Sequence, residues 1–404
     1  MFLIFLNIYT IIHIFAGVLE LADEADSKSV GSDTVRVRPP PPAPNKASTL
    51  SVFYFFIKDC ENMQDIWQRL KNEDKPILLY GTGNGADKIL NELERLNIEV
   101  SGVFASDGFV RSRTYRGFKV ISLSDAEQQF KDFTALFSFG SDRPEVLENI
   151  KKIMSRHTLL APEVPVAGGE IFNIDFARAH ADELMRVYSL LADEQSRKTF
   201  EQTVLFKLDG DISRLFECEV DKDEPFNNIL KLESNFSFLD LGAYNGDTVL
   251  DFIDRVGDFS CVKAVEPDKR SFRKLCENTK HLNIECVNAA VSEKIGSVSF
   301  AKKASRGSTI GVGEAIPAVS VDSLTDATRF DYIKLDVEGA ELAALTGAEN
   351  TIKRDKPKMR IAAYHKSVDY FTLPLKVLEY RDDYKIYMRH LPSVPAWDTD
   401  FYFV

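Results

Sequence analysis

The sequence predicts an α/β protein in which a smaller parallel α/β unit and a helical connector precede a larger, seven-stranded doubly wound (Rossmann-like) domain. Three observations carry this expectation. Short apolar runs that suit buried strands alternate with amphipathic segments from Pro76 to Ser155, and again from Phe236 to the C-terminus. Each half opens on an apolar run that leads through a glycine-rich turn into a helix, at PILLYGTGNGADKI and at FLDLGAYNGDTVLDFI. The chain then ends on two strand-like runs, YKIYMRHL and TDFYFV, with no helix between them, as in an antiparallel hairpin that closes a sheet.

Residues 1–50 stand apart. Met1 to Val18 is apolar but lacks a basic start and is interrupted by Asn7 and His13, so it suits neither a signal peptide nor a full membrane span. The polar, proline-rich stretch that follows offers nothing to a core. The expectation is a disordered or over-called extension, with a weak membrane anchor as the alternative. Residues 74–162 form the small unit. Its first strand ends at the glycine turn, and Ile89, Leu90, Leu93 and Leu96 then recur at helical spacing. A strand at Val100–Phe104, the run FKVIS, a helix over 124–130, the strand ALFSFG and a helix over 144–155 complete it. Residues 163–235 lose the strand rhythm. Leu184, Val187 and Leu191, then Phe200, Val204 and Leu205, repeat every three or four positions, as in a helical connector. Residues 236–404 make the second domain.

At 404 residues the chain suits two domains, and 44% hydrophobic with 28% charged residues is a globular balance. A net charge of −12 with no basic stripe argues against a nucleic-acid partner. The five cysteines are scattered, with no CxxC pair, which fits neither a zinc site nor a disulfide framework and suits a reducing cytoplasm.

The strongest chemical signal lies in the second half. Phe238, Leu239 and Leu241 read as a strand buried on both faces, and Gly242 and Gly246 let the chain turn tightly against a ligand. The helix that starts near Asp247 offers free N–H groups to that ligand. Asp240, at the strand end, is placed to hold turn amides or water. The next strand, CVKAVEP, ends in Glu266, 24 residues beyond Gly242, where a carboxylate can accept both hydroxyls of a ribose; Pro267 stops the strand. The candidate cofactor-binding residues are therefore Asp240, Gly242, Ala243, Tyr244, Asn245, Gly246, Asp247, Glu266, Pro267, Asn288 and Ala289, the last two bordering an adenine. A nicotinamide site would want a third glycine, which GAYNGD lacks. Turn, acid and closing hairpin together point to a methyltransferase.

The segment DYIKLDVEGAELAALTGAENTI resembles the hallmark of the FkbM family of methyltransferases, and LDLGAYNGDT, AVEPD, SVDSL and AAYHK extend the resemblance over roughly 236–404. The resemblance implies S-adenosylmethionine as methyl donor and a hydroxyl of a sugar, glycan or related natural product as acceptor. An acceptor hydroxyl must lose a proton, so a carboxylate or imidazole at the mouth is useful as general base. Asp336 is the first candidate and His365, at the end of the fifth strand, the second; Glu338 joins them as a catalytic candidate, while Glu341 caps a helix or pairs with Lys334. No metal is required by the sequence, although Asp336, Glu338 and His365 are plausible hard-cation ligands. A β excursion between 296 and 324 is expected to cover the pocket, with Ser308 and Thr309 as donors. In the first unit, Gly81, Gly83 and Gly85 with Asp107 resemble a dinucleotide or sugar-nucleotide loop, which keeps a nucleotide-binding or scaffold role open as the alternative.

Overall fold

The computed structural model describes residues 64–110, 114–301, 309–310, 314–325 and 328–404. The extension expected over 1–50 lies outside them, as does Ser308. The first unit begins with helix α1 (Ile66–Lys71), capped by Asp65 and Gln68 in a reciprocal capping box. Strand β1 (Ile77–Tyr80), wholly buried, feeds helix α2 (Asn84–Arg95), which buries Ile89, Leu90 and Leu93. Next come β2 (Gly102–Ala105), β3 (Thr114–Tyr115), β4 (Phe118–Ser122), α3 (Leu123–Phe130), β5 (Thr134–Phe137), α4 (Pro144–Met154) and β6 (Thr158–Leu160). Their order in the sheet is β3-β4-β2-β1-β5-β6; all neighbours are parallel except the β3–β4 hairpin.

The connector holds helices α5 (Ile174–Ala179), α6 (Ala181–Leu190), α7 (Glu194–Asp209) and α8 (Ser213–Cys218), then a π-helical turn at Pro225–Leu230. Helix α7 serves both sheets. Phe200, Val204 and Leu208 join the core over the second sheet, whereas Phe206 joins the core of the first. Lys207, fully buried on the same helix, ion-pairs with Glu163 and sits 4.7 Å from the Tyr370 ring centre. The connector thus glues the two sheets into one compact unit.

The second domain contains β7 (Ser237–Leu241), α9 (Asp247–Val256), β8 (Cys261–Val265), α10 (Lys269–Asn278) and β9 (Glu285–Val287). A four-stranded excursion follows, made of β10 (Ala290–Val291), β11 (Gly296–Ala301), β12 (Thr309–Ile310) and β13 (Glu314–Val319) in the order β10-β13-β11-β12. The chain re-enters the main sheet through α11 (Val321–Thr325) and β14 (Tyr332–Leu335), then α12 (Glu341–Thr346), α13 (Glu349–Asp355), β15 (Lys358–Ala362), α14 (Asp369–Tyr380), β16 (Ile386–His390) and β17 (Thr399–Phe403). The main sheet has the order β16-β17-β15-β14-β7-β8-β9; β17 is antiparallel to both its neighbours, and the other pairs are parallel. The order reverses between β7 and β14, so a crevice opens at their carboxyl ends, the place where doubly wound sheets bind ligands.

Two contacts bring the first unit and the connector to that crevice. Ser141, beyond β5, exchanges backbone hydrogen bonds with Val394 in the β16–β17 connection (2.9 and 3.0 Å), and the indole of Trp397 lies against Gly140. On the other side Ala167 donates its N–H to the His365 carbonyl (3.0 Å) and packs on Gly339. No helix among the described residues is long and apolar enough to cross a membrane.

Candidate active site

A cavity of about 960 Å³ opens at the switch point, walled by Gly242, Tyr244, Asp247 and Thr248 from the first turn, Glu266 and Pro267 from the end of β8, and Asp336 and Glu338 from the end of β14. Gly140 to Arg143 of the first unit and Trp397 and Asp398 of the closing hairpin complete its rim.

The first turn is built by close approach. Gly242 has φ +84°, and a side chain there would collide with the Asp336 carbonyl, so the turns after β7 and β14 touch only because this residue has no Cβ. Glu266 is only 7% exposed. Its Oε2 accepts from the Tyr244 N–H and its Oε1 from the Asp268 N–H, each at 2.8 Å. Burial pushes its carboxyl up to about 7, against these amides, which favour the ionised form. Each oxygen keeps a second lone pair, and the residue lines the cavity.

Other residues singled out in the sequence support the turn from behind. Asp240 is fully buried and does not hold turn amides: it accepts from the Thr248 hydroxyl and faces Lys334 Nζ at 3.4 Å. Lys334, itself buried, donates to the Gly242 carbonyl (3.1 Å) and lies 3.6 Å from Asp336 Oδ2. Asn288 turns away from the crevice to donate to the carbonyls of Glu266 (2.8 Å) and Pro267 (3.2 Å), bracing the end of β8. Asn245 uses its carbonyl to accept from the Asn278 amide, and Ala243, Gly246 and Ala289 also lie outside the lining, where Ala290 and Val291 appear instead. After β9 the chain leaves the main sheet at Asn288, and Ala290 and Val291 form the first strand of the separate four-stranded sheet.

At the far wall, Asp336 and Glu338 reach the cavity, about one-third exposed each. His365 does not. It lies three residues beyond the end of β15, is completely buried, and sits behind the two carboxylates, with Nε2 3.6 Å from Asp336 Oδ1 and 3.6 Å from Glu338 Oε2. Burial disfavours its charge, but Glu341, Asp336 and Glu338 outweigh that and raise it to about 10. Glu341 neither caps a helix with its side chain nor pairs with Lys334. Its Oε1 accepts from the N–H groups of Val337 (2.9 Å) and Gly339 (3.2 Å), folding the tight turn in which Glu338 has φ +54°, and approaches His365 Nδ1 at 2.9 Å. The Tyr364 hydroxyl donates to Asp336 Oδ1 (3.2 Å). Sequence reasoning missed Lys334 and Tyr364 and misassigned Glu341; a strand-interior lysine beside LDVEGAE was the one available signal.

The glycine loop of the first unit is covered at Gly81 and Gly85 and open at Gly83. The Phe139 ring and the Ser138 hydroxyl occupy the space over Gly81, the Tyr115 hydroxyl lies 2.9 Å from the Gly83 carbonyl and 2.6 Å from Asp87 with one proton to donate between them, and Asp107 is engaged with the N–H and hydroxyl of Ser124. Tyr115 and Lys119 have a Tyr-x-x-x-Lys spacing, but on the β3–β4 hairpin.

Comparison with known proteins bears on the fold. Over 89% of this chain and 99% of the other, the structure resembles a methyltransferase FkbM from Methylobacillus flagellatus KT, with TM-score 0.67 and 21% identity, a likeness of fold that takes in the first unit as well. A precorrin-6y C5,15-methyltransferase from Geobacter metallireducens GS-15 (14% identity, 43% of this chain, 81% of that chain, TM-score 0.28) and the Aeropyrum pernix fibrillarin with bound S-adenosyl-L-methionine (15%, 43%, 67%, 0.29) are too remote to bear on function. No curated protein matches the sequence. Residues 240–386 match the family model of the methyltransferase FkbM domain.

Proposed function

We propose that this domain transfers the methyl group of S-adenosylmethionine to a hydroxyl of a sugar, glycan or related natural product. The observation that supports it most is Glu266: a buried carboxylate at the end of β8, fixed by two backbone amides and opening on the same cavity as Asp336 and Glu338. In this reading Glu266 accepts the ribose hydroxyls, and the turn from Gly242 to Asp247, at the N-terminus of α9, receives the rest of the cofactor. Bound there, the cofactor supplies an electrophilic methyl carbon on a sulfonium. Asp336 and Glu338 favour that positive charge and are the carboxylates placed to take the acceptor's proton. His365, behind them, has no direct path to the acceptor. The rim from Gly140 to Arg143 makes the first unit part of the acceptor's entrance, in place of a nucleotide site of its own. Calorimetric titration of the full chain with S-adenosylmethionine and S-adenosylhomocysteine tests the reading. Micromolar binding that Glu266→Ala abolishes is the expected result; no binding by folded protein refutes it.

A further inference from the structure

The floor beneath Asp336 holds polar atoms that the proposed methyl transfer leaves without a task. His365 is wholly buried, and neither ring nitrogen has a hydrogen-bond partner. Nδ1 comes within 2.9 Å of Glu341 Oε1, but off the line along which a ring N–H would donate. Glu341 Oε2 is likewise buried without a donor. Buried polar atoms left unpaired are costly, and a single bound cation would engage one ring nitrogen of His365 together with a Glu341 oxygen.

The spacing says what kind. Donor atoms of Asp336, Glu341 and His365 all lie within 4.8 Å of one another, and Nε2 stands 3.6 Å from carboxylate oxygens on two sides. That is long for a hydrogen bond. Two ligands on one cation, each about 2.1 Å from it, sit about 3.0–3.4 Å apart, so a small contraction would suffice. The supporting bonds are those of a built ligand set: Val337 and Gly339 N–H groups hold Glu341 Oε1, and Tyr364 holds Asp336 Oδ1. Carboxylates with one imidazole and no thiolate suit a hard to borderline divalent ion of the Mn²⁺ or Mg²⁺ kind.

We propose that Asp336, Glu341 and His365 form a divalent-cation site under the wall of the cavity, with Glu338 as a further oxygen donor on its open side. A cation there would face the cavity through Asp336 and Glu338 and could lower the pKa of an acceptor hydroxyl; that consequence rests on the methyltransferase reading, whereas the site does not. The competing occupant is a proton, which would make the cluster an imidazolium among carboxylates.

The test is titration of the full chain, stripped with EDTA, with MnCl₂, followed by electron paramagnetic resonance and calorimetry. The expected result is about one Mn²⁺ per chain, bound at least tenfold more weakly by Glu341→Gln and His365→Ala and unchanged in Glu266→Ala. Should the buried variants fail to fold, Asp336→Asn, at the cavity wall, reads the same loss with thermal melting as the folding control. Absence of saturable binding of Mn²⁺, Mg²⁺ or Zn²⁺ by folded protein, or binding that these variants leave unmoved, overturns the proposal. Either outcome is separate from cofactor binding, which Glu266→Ala reports independently.

Discussion

The two glycine turns of this molecule start from one design and end differently. After β1, as after β7, a buried strand passes through glycines into a helix, and an acid follows the next strand. In the second domain the turn walls a cavity, and the acid, Glu266, points back to the turn through the Tyr244 amide. In the first, Phe139 fills the space over Gly81, the Tyr115 hydroxyl bonds the Gly83 carbonyl, and Asp107 is bound to Ser124. Strand, turn and helix are therefore solutions to packing. A site arises only where the neighbouring strand end leaves the turn uncovered and supplies a group that faces it.

Glu266→Ala should break this comparison most severely. A hydrogen bond to a charged group contributes about 1.5–3 kcal/mol, so loss of two such bonds to a ribose should weaken S-adenosylmethionine by about 100-fold or more, measured by calorimetry. The variant should remain folded, since Glu266 otherwise serves only the Tyr244 and Asp268 amides. If affinity survives, the second turn is no more a cofactor site than the first.

Gly242→Ala comes next and acts on stability. The residue has φ +84°, and its Cβ would strike backbone, the Asp336 carbonyl, which cannot step aside. A loss of about 2–4 kcal/mol is expected from thermal melting, with cofactor binding lost in parallel. The matching Gly81→Ala also sits at positive φ, but its Cβ would meet the Phe139 ring, which can rotate away, so its cost should be smaller.

How much of this was legible follows from what each residue's task depends on. Buried parallel strands are continuous apolar runs, so β7, β8 and β14 stand out, and Glu266 and Asp336 are found because strand ends are visible in sequence. Asp240 and Asn288 look the same in sequence, yet alternation sends Asp240 into the core and the departure of the chain after β9 turns Asn288 onto the Glu266 carbonyl. His365 and Glu341 are harder still. Their partnership crosses from β15 to the start of α12, and only the turn at Glu338 brings the two together. The closure of the first turn by Phe139 depends on β5 lying beside β1, which no local pattern announces.

Proton linkage gives a finer test. Burial holds the Glu266 carboxyl near 7, and only the ionised form accepts two hydroxyls. Its folded pKa is raised, so protons compete with the cofactor below pH 7. Affinity for S-adenosylmethionine should fall about tenfold between pH 8 and pH 6, and Glu266→Gln should remove that slope. The raised value also means that the cofactor-free chain loses stability as pH rises from the ordinary carboxylate range of 4.5 to about 7, levelling off above it, a cost the same variant should relieve.

The smallest effects belong to the first turn. Asp107→Ala removes two exposed hydrogen bonds to Ser124 and should cost about 0.5–1 kcal/mol, with no change in cofactor affinity. Phe139→Ala is the sharper probe, because it uncovers Gly81 at a cost of about 1–3 kcal/mol. If packing alone closes this turn, the uncovered loop should still fail to bind NAD⁺ or UDP-glucose at millimolar concentration, since Asp107 stays with Ser124. Binding by Phe139→Ala would mean that the first turn is a nucleotide site held shut by one aromatic ring, and the contrast between the two turns would reduce to what covers them.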